Sequence, residues 1–169
     1  MTVTMKSNMR RTLWLAAILL GVHSTGGPAA KYEGPRPPKP DVPYLLHAET
    51  LVETEVQEAK EEERRNEVVA WVEGTSSPVR TPLAEPIFLF ESEKIPAEKM
   101  QLYKFEVRSG RRQVTIPKRP SKSGARPLRL NVTQIEGKLY RLEANEYLEN
   151  GEYSLSPAGS NQVFCFQVY

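Results

Sequence analysis

Apolar and polar residues alternate along one short segment of this chain after another, and this pattern limits the folds open to it. Tyr153 and Leu155 alternate with Glu152 and Ser154, and the same two-residue period recurs over 102–107. Side chains two residues apart lie on the same face of a β-strand, so each such strand has one apolar face. Strands with one dry and one solvated face are typical of antiparallel sheets.

Turn signals separate these segments at intervals of about eight to twelve residues. Ser109-Gly110, Glu136-Gly137 and Asn150-Gly151 each stand between alternating segments, and residues 157–161 form a loop rich in small residues. This spacing predicts an all-β domain over residues 44–169, arranged as an antiparallel sandwich or small barrel of about seven to nine strands.

The apolar residues of the alternating segments are the candidate core. We expect the inner face to be built from Leu45, Val52, Val56, Val68, Val72, Phe88, Phe90, Phe105, Val107, Val114, Leu130, Val132, Tyr140, Leu142, Tyr153, Leu155, Phe164, Phe166 and Val168. Cys165 lies within the apolar segment 163–168 near the C-terminus. This position predicts a buried and inert thiol.

The segment 49–71 is compatible with two structures. A single helix is favoured by charge pairs at helical spacing, such as Glu61 with Arg65. A long hairpin with its charged tip near 62–66 is favoured by the alternation on both sides of the charged stretch. We favour the hairpin, because the middle of the segment offers only Ala59 for the apolar face that a packed helix needs.

The first residues of the chain predict export. Three basic residues precede the apolar run 13–22, and small residues follow it, which is the pattern of a signal peptide over 1–24. Cleavage after Ala30 is the second choice. The run is shorter than the roughly 20 residues of a membrane-spanning helix, so no integral membrane protein is expected after cleavage. The expected destination is the periplasm or the outside of the cell.

Residues 25–43 are rich in Pro and Gly, which predicts an extended tether before the β domain. Without residues 1–24, 20 of the 23 Lys and Arg residues remain against 21 Asp and Glu. The net positive charge of the full chain therefore comes from residues 1–24. It gives no argument for nucleic acid as a partner.

Side chains that could carry catalysis are scarce. Cys165 is the only cysteine, and His47 is the only histidine beyond residue 24, so a zinc site or a Cys-His dyad is not expected. No G-x-S-x-G turn is present to expose a nucleophilic serine. A glycosidase with two carboxylates stays open, because acids are numerous. We expect no catalytic residues, no metal site and no cofactor.

Basic residues are concentrated in the segment 104–127, where eight bases stand against one acid, Glu106. Such a surface could attract an acidic polysaccharide or another anion, or it could simply be solvated. The candidate anion-binding residues are Arg108, Arg111, Arg112, Lys118, Arg119, Lys122 and Arg126.

Three stretches carry a resemblance to other proteins. The C-terminal residues 150–157 and 161–166, together with 77–90, resemble parts of exported proteins of soil bacteria. The resemblance covers the chain from about Tyr44 onward. It implies bacterial export, and it brings no activity, ligand or catalytic residue with it.

The sequence therefore predicts an exported, non-enzymatic β-sandwich domain that acts as a protein-interaction or envelope accessory module. A carbohydrate- or anion-binding module that uses the basic 104–127 region is the alternative, and a glycosidase-like enzyme is the second alternative. The partner is expected to be a protein or a polysaccharide.

Overall fold

The protein is all-β. A computed structural model describes residues 31–119 and 125–169. The predicted signal peptide and residues 25–30 of the predicted tether lie outside the described residues. The described part contains fourteen strands, one 3-10 turn at Ala97–Lys99 and no α-helix. The strands are β1 (Tyr44–His47), β2 (Thr50–Glu53), β3 (Glu55–Glu58), β4 (Lys60–Glu63), β5 (Glu67–Glu73), β6 (Arg80–Thr81), β7 (Ile87–Glu91), β8 (Met100–Lys104), β9 (Glu106–Arg108), β10 (Arg111–Pro117), β11 (Leu130–Glu136), β12 (Leu139–Ala144), β13 (Gly151–Pro157) and β14 (Gln162–Val168).

The strands form three sheets. The first sheet has the order β11-β12-β7-β1-β2, the middle sheet has the order β3-β14-β13-β8, and the third sheet has the order β4-β5-β10-β9. Neighbouring strands within these orders are antiparallel, and the short β6 pairs with β14 in parallel at the middle sheet. None of the three sheets closes into a barrel within the described residues, so the barrel alternative is not found.

Two hydrophobic clusters show that the sheets are stacked. In the first cluster, Phe88 of the first sheet packs with Phe166 of the middle sheet, and their ring centroids lie 4.9 Å apart. In the second cluster, Val114 of the third sheet packs with Cys165 of the middle sheet. The middle sheet is therefore covered on both faces. The expectation of one solvated face is wrong for this sheet, where Glu152 is also buried.

The number of strands exceeds the predicted seven to nine because extended segments pass from one sheet to the next. Residues 50–63 contribute β2, β3 and β4 in turn to the first, middle and third sheets. Thr54 and Ala59 are the breaks between them. Both residues are buried, and their backbone N–H groups donate to the carbonyls of Pro43 and Asn161 instead of to a ladder partner.

The long hairpin predicted over 49–71 is found in part. Its tip is confirmed, because β4 and β5 pair antiparallel on either side of residues 64–66, but β2 and β3 of its first arm join the other two sheets. The Ser109-Gly110 hairpin is also confirmed. Both residues have positive φ, at 53° and 78°, as a two-residue turn with the twist of the flanking strands requires. Asn150-Gly151 separates two strands, as predicted, but these strands, β12 and β13, belong to different sheets, so they do not form a hairpin.

Three predicted core residues are exposed. Val52, Val56 and Val107 lie 37%, 42% and 52% exposed, respectively. They belong to β2, β3 and β9, and each of these strands is the last of its sheet. An alternating pattern identifies the two faces of a strand but does not indicate whether another layer covers them. The other predicted core residues are buried or partly buried.

The described end of the proline-rich segment contacts the β domain. The Asp41 carboxylate accepts hydrogen bonds from the backbone N–H groups of Glu93, Lys94 and Ile95, each at 2.9 Å. The Asp41 N–H also donates to the Glu91 carbonyl at 2.8 Å. These contacts fasten the chain beside β7 just before β1 begins. Among the described ranges, 31–119 and 125–169, no helix is long and apolar enough to cross a membrane.

Candidate ligand-binding cleft

An open cleft of about 700 Å³ lies between the middle sheet and the third sheet. This volume falls within the roughly 300–1,000 Å³ range of small-molecule sites. The cleft is lined by Ala59, Glu61, Ala70, Gln101, Tyr103, Phe105, Val114, Ile116, Ser154, Ser156, Pro157, Ala158, Gly159, Ser160, Asn161 and Val163.

Small side chains on the facing strands account for the space. Ala70 lines the cleft from β5 of the third sheet, and Ser154 and Ser156 line it from β13 of the middle sheet. Facing sheets pack about 10 Å apart, and large side chains normally fill the gap between them. Where alanine and serine face each other, the two layers cannot close the gap.

Polar side chains on β8 and β13 form an organised group in the cleft. The register of the two strands places Tyr103 beside Ser154 and Gln101 beside Ser156. The Tyr103 hydroxyl donates to Gln101 Oε1 at 3.1 Å, and the Ser154 and Ser156 hydroxyl oxygens lie 3.1 Å apart. Burial raises the pKa of Tyr103, so its hydroxyl stays a neutral donor at physiological pH.

Several polar groups of the lining have no partner within the described part of the chain. They are the Gln101 Nε2 group, the Asn161 side-chain amide and the Glu61 carboxylate. The described lining contains no lysine, arginine or histidine, so Glu61 is its one charged residue. The cleft therefore offers hydrogen-bond donors and acceptors without positive charge.

A buried ion pair occupies another part of the interface between these two sheets. Arg112 of β10 is 1% exposed, and its Nη1 and Nη2 groups donate to the Glu55 carboxylate of β3 at 2.7 and 3.0 Å. Glu152 of β13 lies 3.8 Å from Nη1 and accepts a hydrogen bond from the Ser77 backbone N–H at 2.9 Å. The carbonyls of residues 73 and 74 accept further hydrogen bonds from the guanidinium. This cluster fills the gap between the two sheets at its own position, whereas the gap stays open at the cleft.

The environment changes the ionisation of three groups in this interface. Burial opposes charge on Glu55, but hydrogen bonds from Arg112 and its positive charge hold the pKa of that carboxyl below its usual range. Burial also opposes charge on Arg112, but Glu55 raises the pKa of the guanidinium. Burial raises the pKa of the Cys165 thiol to about 12, so the thiol is neutral at physiological pH.

The predicted basic residues do not form one surface around the cleft. Arg112 is buried in the ion pair and does not present its charge to solvent. The Arg111 guanidinium lies over the ring of Trp71, 4.3 Å from its centroid. Lys118 pairs with Glu63 at 2.8 Å.

The remaining basic candidates lie outside the described cleft lining. Arg108, Arg119 and Arg126 are exposed, and Arg108 ends β9 at the edge of the third sheet. Lys122 lies outside the described residues. None of the described basic candidates therefore belongs to the described cleft lining.

Sequence reasoning missed the polar residues of the cleft. Ser154 and Ser156 alternate with apolar residues, and this pattern predicts a solvated face. The signal that could have found them is the adjacent segment 163–166, VFCF, which is apolar without alternation. A strand of that kind is buried on both faces, so its neighbour β13 must also face a second layer.

Comparisons with known protein families, with curated proteins and with solved structures give no match for this chain. Among the described residues, no group of three or more His, Cys, Asp or Glu side chains is placed to hold a metal ion. The case for a function therefore depends on the geometry and chemistry of the cleft.

Proposed function

We propose that this protein is an exported, non-enzymatic β domain that binds a partner, and that the cleft between the middle and third sheets is its binding site. The observation that carries this proposal is the open space of about 700 Å³ between two sheets that the buried Arg112–Glu55 ion pair joins at another place. Binding sites are typically concave, with apolar walls and a few convergent polar groups.

The cleft supports binding better than catalysis. Glycoside hydrolysis with two carboxylates requires both acids at the scissile bond, and Glu61 is the one carboxylate of the described lining. Glu55 and Glu152 are close to each other, but both are held by Arg112 within the interface. We therefore propose a binding protein, in which the cleft receives part of a protein or polysaccharide partner outside the cytoplasm.

A neutral fluorescent dye, N-phenyl-1-naphthylamine, provides the test. Phe105, Val114 and Ile116 give the cleft an apolar wall, so an uncharged aromatic probe is expected to bind there with saturable fluorescence enhancement. Ser156→Phe places a ring in the cleft and should abolish this binding. Thr133→Phe makes a closely similar change at an exposed site of β11, outside the described lining, and should leave the binding intact.

Circular dichroism of both variants checks that the fold is retained. The proposal fails if the folded wild-type protein gives no saturable enhancement. It also fails if the folded Ser156→Phe variant binds the dye as the wild type does, because the probe would then occupy another site.

A further inference from the structure

We infer that the cleft takes a short, uncharged oligosaccharide. This inference rests on the proposed function and names the ligand class of the same site. It also moves the expected carbohydrate site away from the basic residues of 104–127 and into the interface between the middle and third sheets.

The charge of the described lining disfavours an acidic ligand. Glu61 is exposed at the cleft, and no basic side chain belongs to the described lining. A sulfate or carboxylate on the ligand would be partly desolvated there without a counter-charge and near a like charge, which is unfavourable. A ligand without negative charge avoids this cost.

The polar groups of the cleft match a ligand with many hydroxyls. Gln101 Nε2 can donate, the Asn161 amide can donate and accept, and the Glu61 carboxylate can accept. None of these three groups has a partner within the described part of the chain. Sugar hydroxyls both donate and accept, so one ring can satisfy several of these groups at once.

The apolar part of the lining fits the carbon–hydrogen surface of the same ligand. Phe105, Val114 and Ile116 lie beside the polar group, and the Tyr103 ring joins the two regions. A purely hydrocarbon ligand would cover Gln101 and Asn161 and leave them without hydrogen bonds, which costs binding free energy. A pyranose ring has polar edges and less polar faces. It can therefore form hydrogen bonds with the polar groups of the cleft and cover its apolar side chains at the same time.

Displacement of the dye and isothermal titration calorimetry test the ligand class. The panel contains cellotetraose, maltotetraose and N-acetylchitotetraose as neutral ligands, and a sulfated heparin tetrasaccharide as the acidic one. We expect at least one neutral tetrasaccharide to displace the dye and to bind with an affinity that does not change between low and high salt. Binding between uncharged and charged groups is little affected by ionic screening, whereas ion pairing is weakened.

Two variants of one residue type locate the site. Gln101→Leu removes the unpartnered Nε2 donor, together with the oxygen that accepts from Tyr103, while keeping a side chain of similar size, and should weaken neutral-sugar binding about tenfold or more. Gln134→Leu is the matched control, because Gln134 is exposed on β11 and outside the described lining. It should leave the affinity unchanged.

The outcomes separate the two proposals. If the dye binds and Ser156→Phe abolishes that binding, but no neutral sugar displaces the dye, the sugar inference is overturned and the binding cleft stands. Salt-sensitive binding of the sulfated ligand alone also overturns the inference. If the dye itself does not bind the cleft, both proposals fail.

Discussion

Arg112 and Glu55 form a two-point ion pair that joins the third sheet to the middle sheet, with nitrogen–oxygen distances of 2.7 and 3.0 Å. The guanidinium is 1% exposed, so the pair lies in the protein interior. Two parallel hydrogen bonds fix the relative orientation of the partners as well as their distance. The pair therefore holds the two layers in register at one place, while the cleft leaves them apart at another.

Loss of the Arg112 charge should strongly destabilise the protein. Arg112→Met leaves Glu55 and the buried Glu152 without their cation, and removal of one partner of a buried pair typically costs about 3–5 kcal/mol. Urea unfolding at pH 7 measures this loss. Arg111→Met is the control from the adjacent position. It gives up a cation–π contact with Trp71 and a hydrogen bond to the Gln113 side chain, outside any buried ion pair, and should cost about 1 kcal/mol. Equal losses for the two variants would contradict the structural role of Arg112.

The free energy of unfolding should fall in acid because of Glu55. Its pKa is lowered in the folded state, so the unfolded chain takes up the proton first as the pH falls. The stabilisation is present above the unfolded value of 4.5 and is lost as the pH falls through the folded value. Urea unfolding at pH 7, 5, 4 and 3 should show this decline. Glu55→Gln should be less stable at pH 7 and should show a shallower decline, and an unchanged slope would assign the acid sensitivity to other groups.

Asp41 should fasten the segment before β1 to the loop after β7. Asp41→Ala removes the acceptor of three backbone N–H groups and should cost about 1–2 kcal/mol. Asp41→Asn keeps one acceptor oxygen and tolerates the positive φ of 60° better than alanine does, so it should cost less. Urea unfolding gives the costs, and hydrogen exchange at residues 93–95 should accelerate in the alanine variant. Unchanged exchange there would show that the loop does not depend on Asp41.

Cys165 should be unreactive in the folded protein. The thiol is fully buried and its pKa is raised to about 12, so almost no thiolate is available to attack a disulfide reagent. Ellman's reagent should react slowly at pH 8 in buffer and rapidly in concentrated urea. Thr133→Cys adds an exposed thiol and should contribute one fast equivalent under native conditions. A fast equivalent from the wild-type protein would mean that the interface around Cys165 opens readily.

The sequence was sufficient to predict the strands but not the number of layers. The two-residue period and the Ser109-Gly110 turn depend on local geometry, so the all-β class and that hairpin could be predicted. The switch from one sheet to another at Thr54 and Ala59 depends on partners far along the chain, such as Asn161. No local pattern around residues 50–63 encodes which sheet each short strand joins.

The residues of the candidate site could be predicted from the sequence less well than the strands and sheets. The sequence predicts Arg112 to be one of several surface bases, because its neighbours are polar and it follows a turn. Its burial depends on the presence of Glu55 and Glu152 in a facing layer, at sequence distances that periodicity does not cover. Gln101 likewise becomes a cleft residue only because the third sheet leaves space above it.

The most direct test of the central claim is a nuclear magnetic resonance titration of the isotope-labelled protein with N-phenyl-1-naphthylamine. The claim predicts that the largest amide shifts occur at Gln101, Ser156 and Asn161, which line the cleft from three places in the chain. Shifts concentrated at the exposed bases Arg108 and Arg119, or no saturable shifts at all, would contradict it.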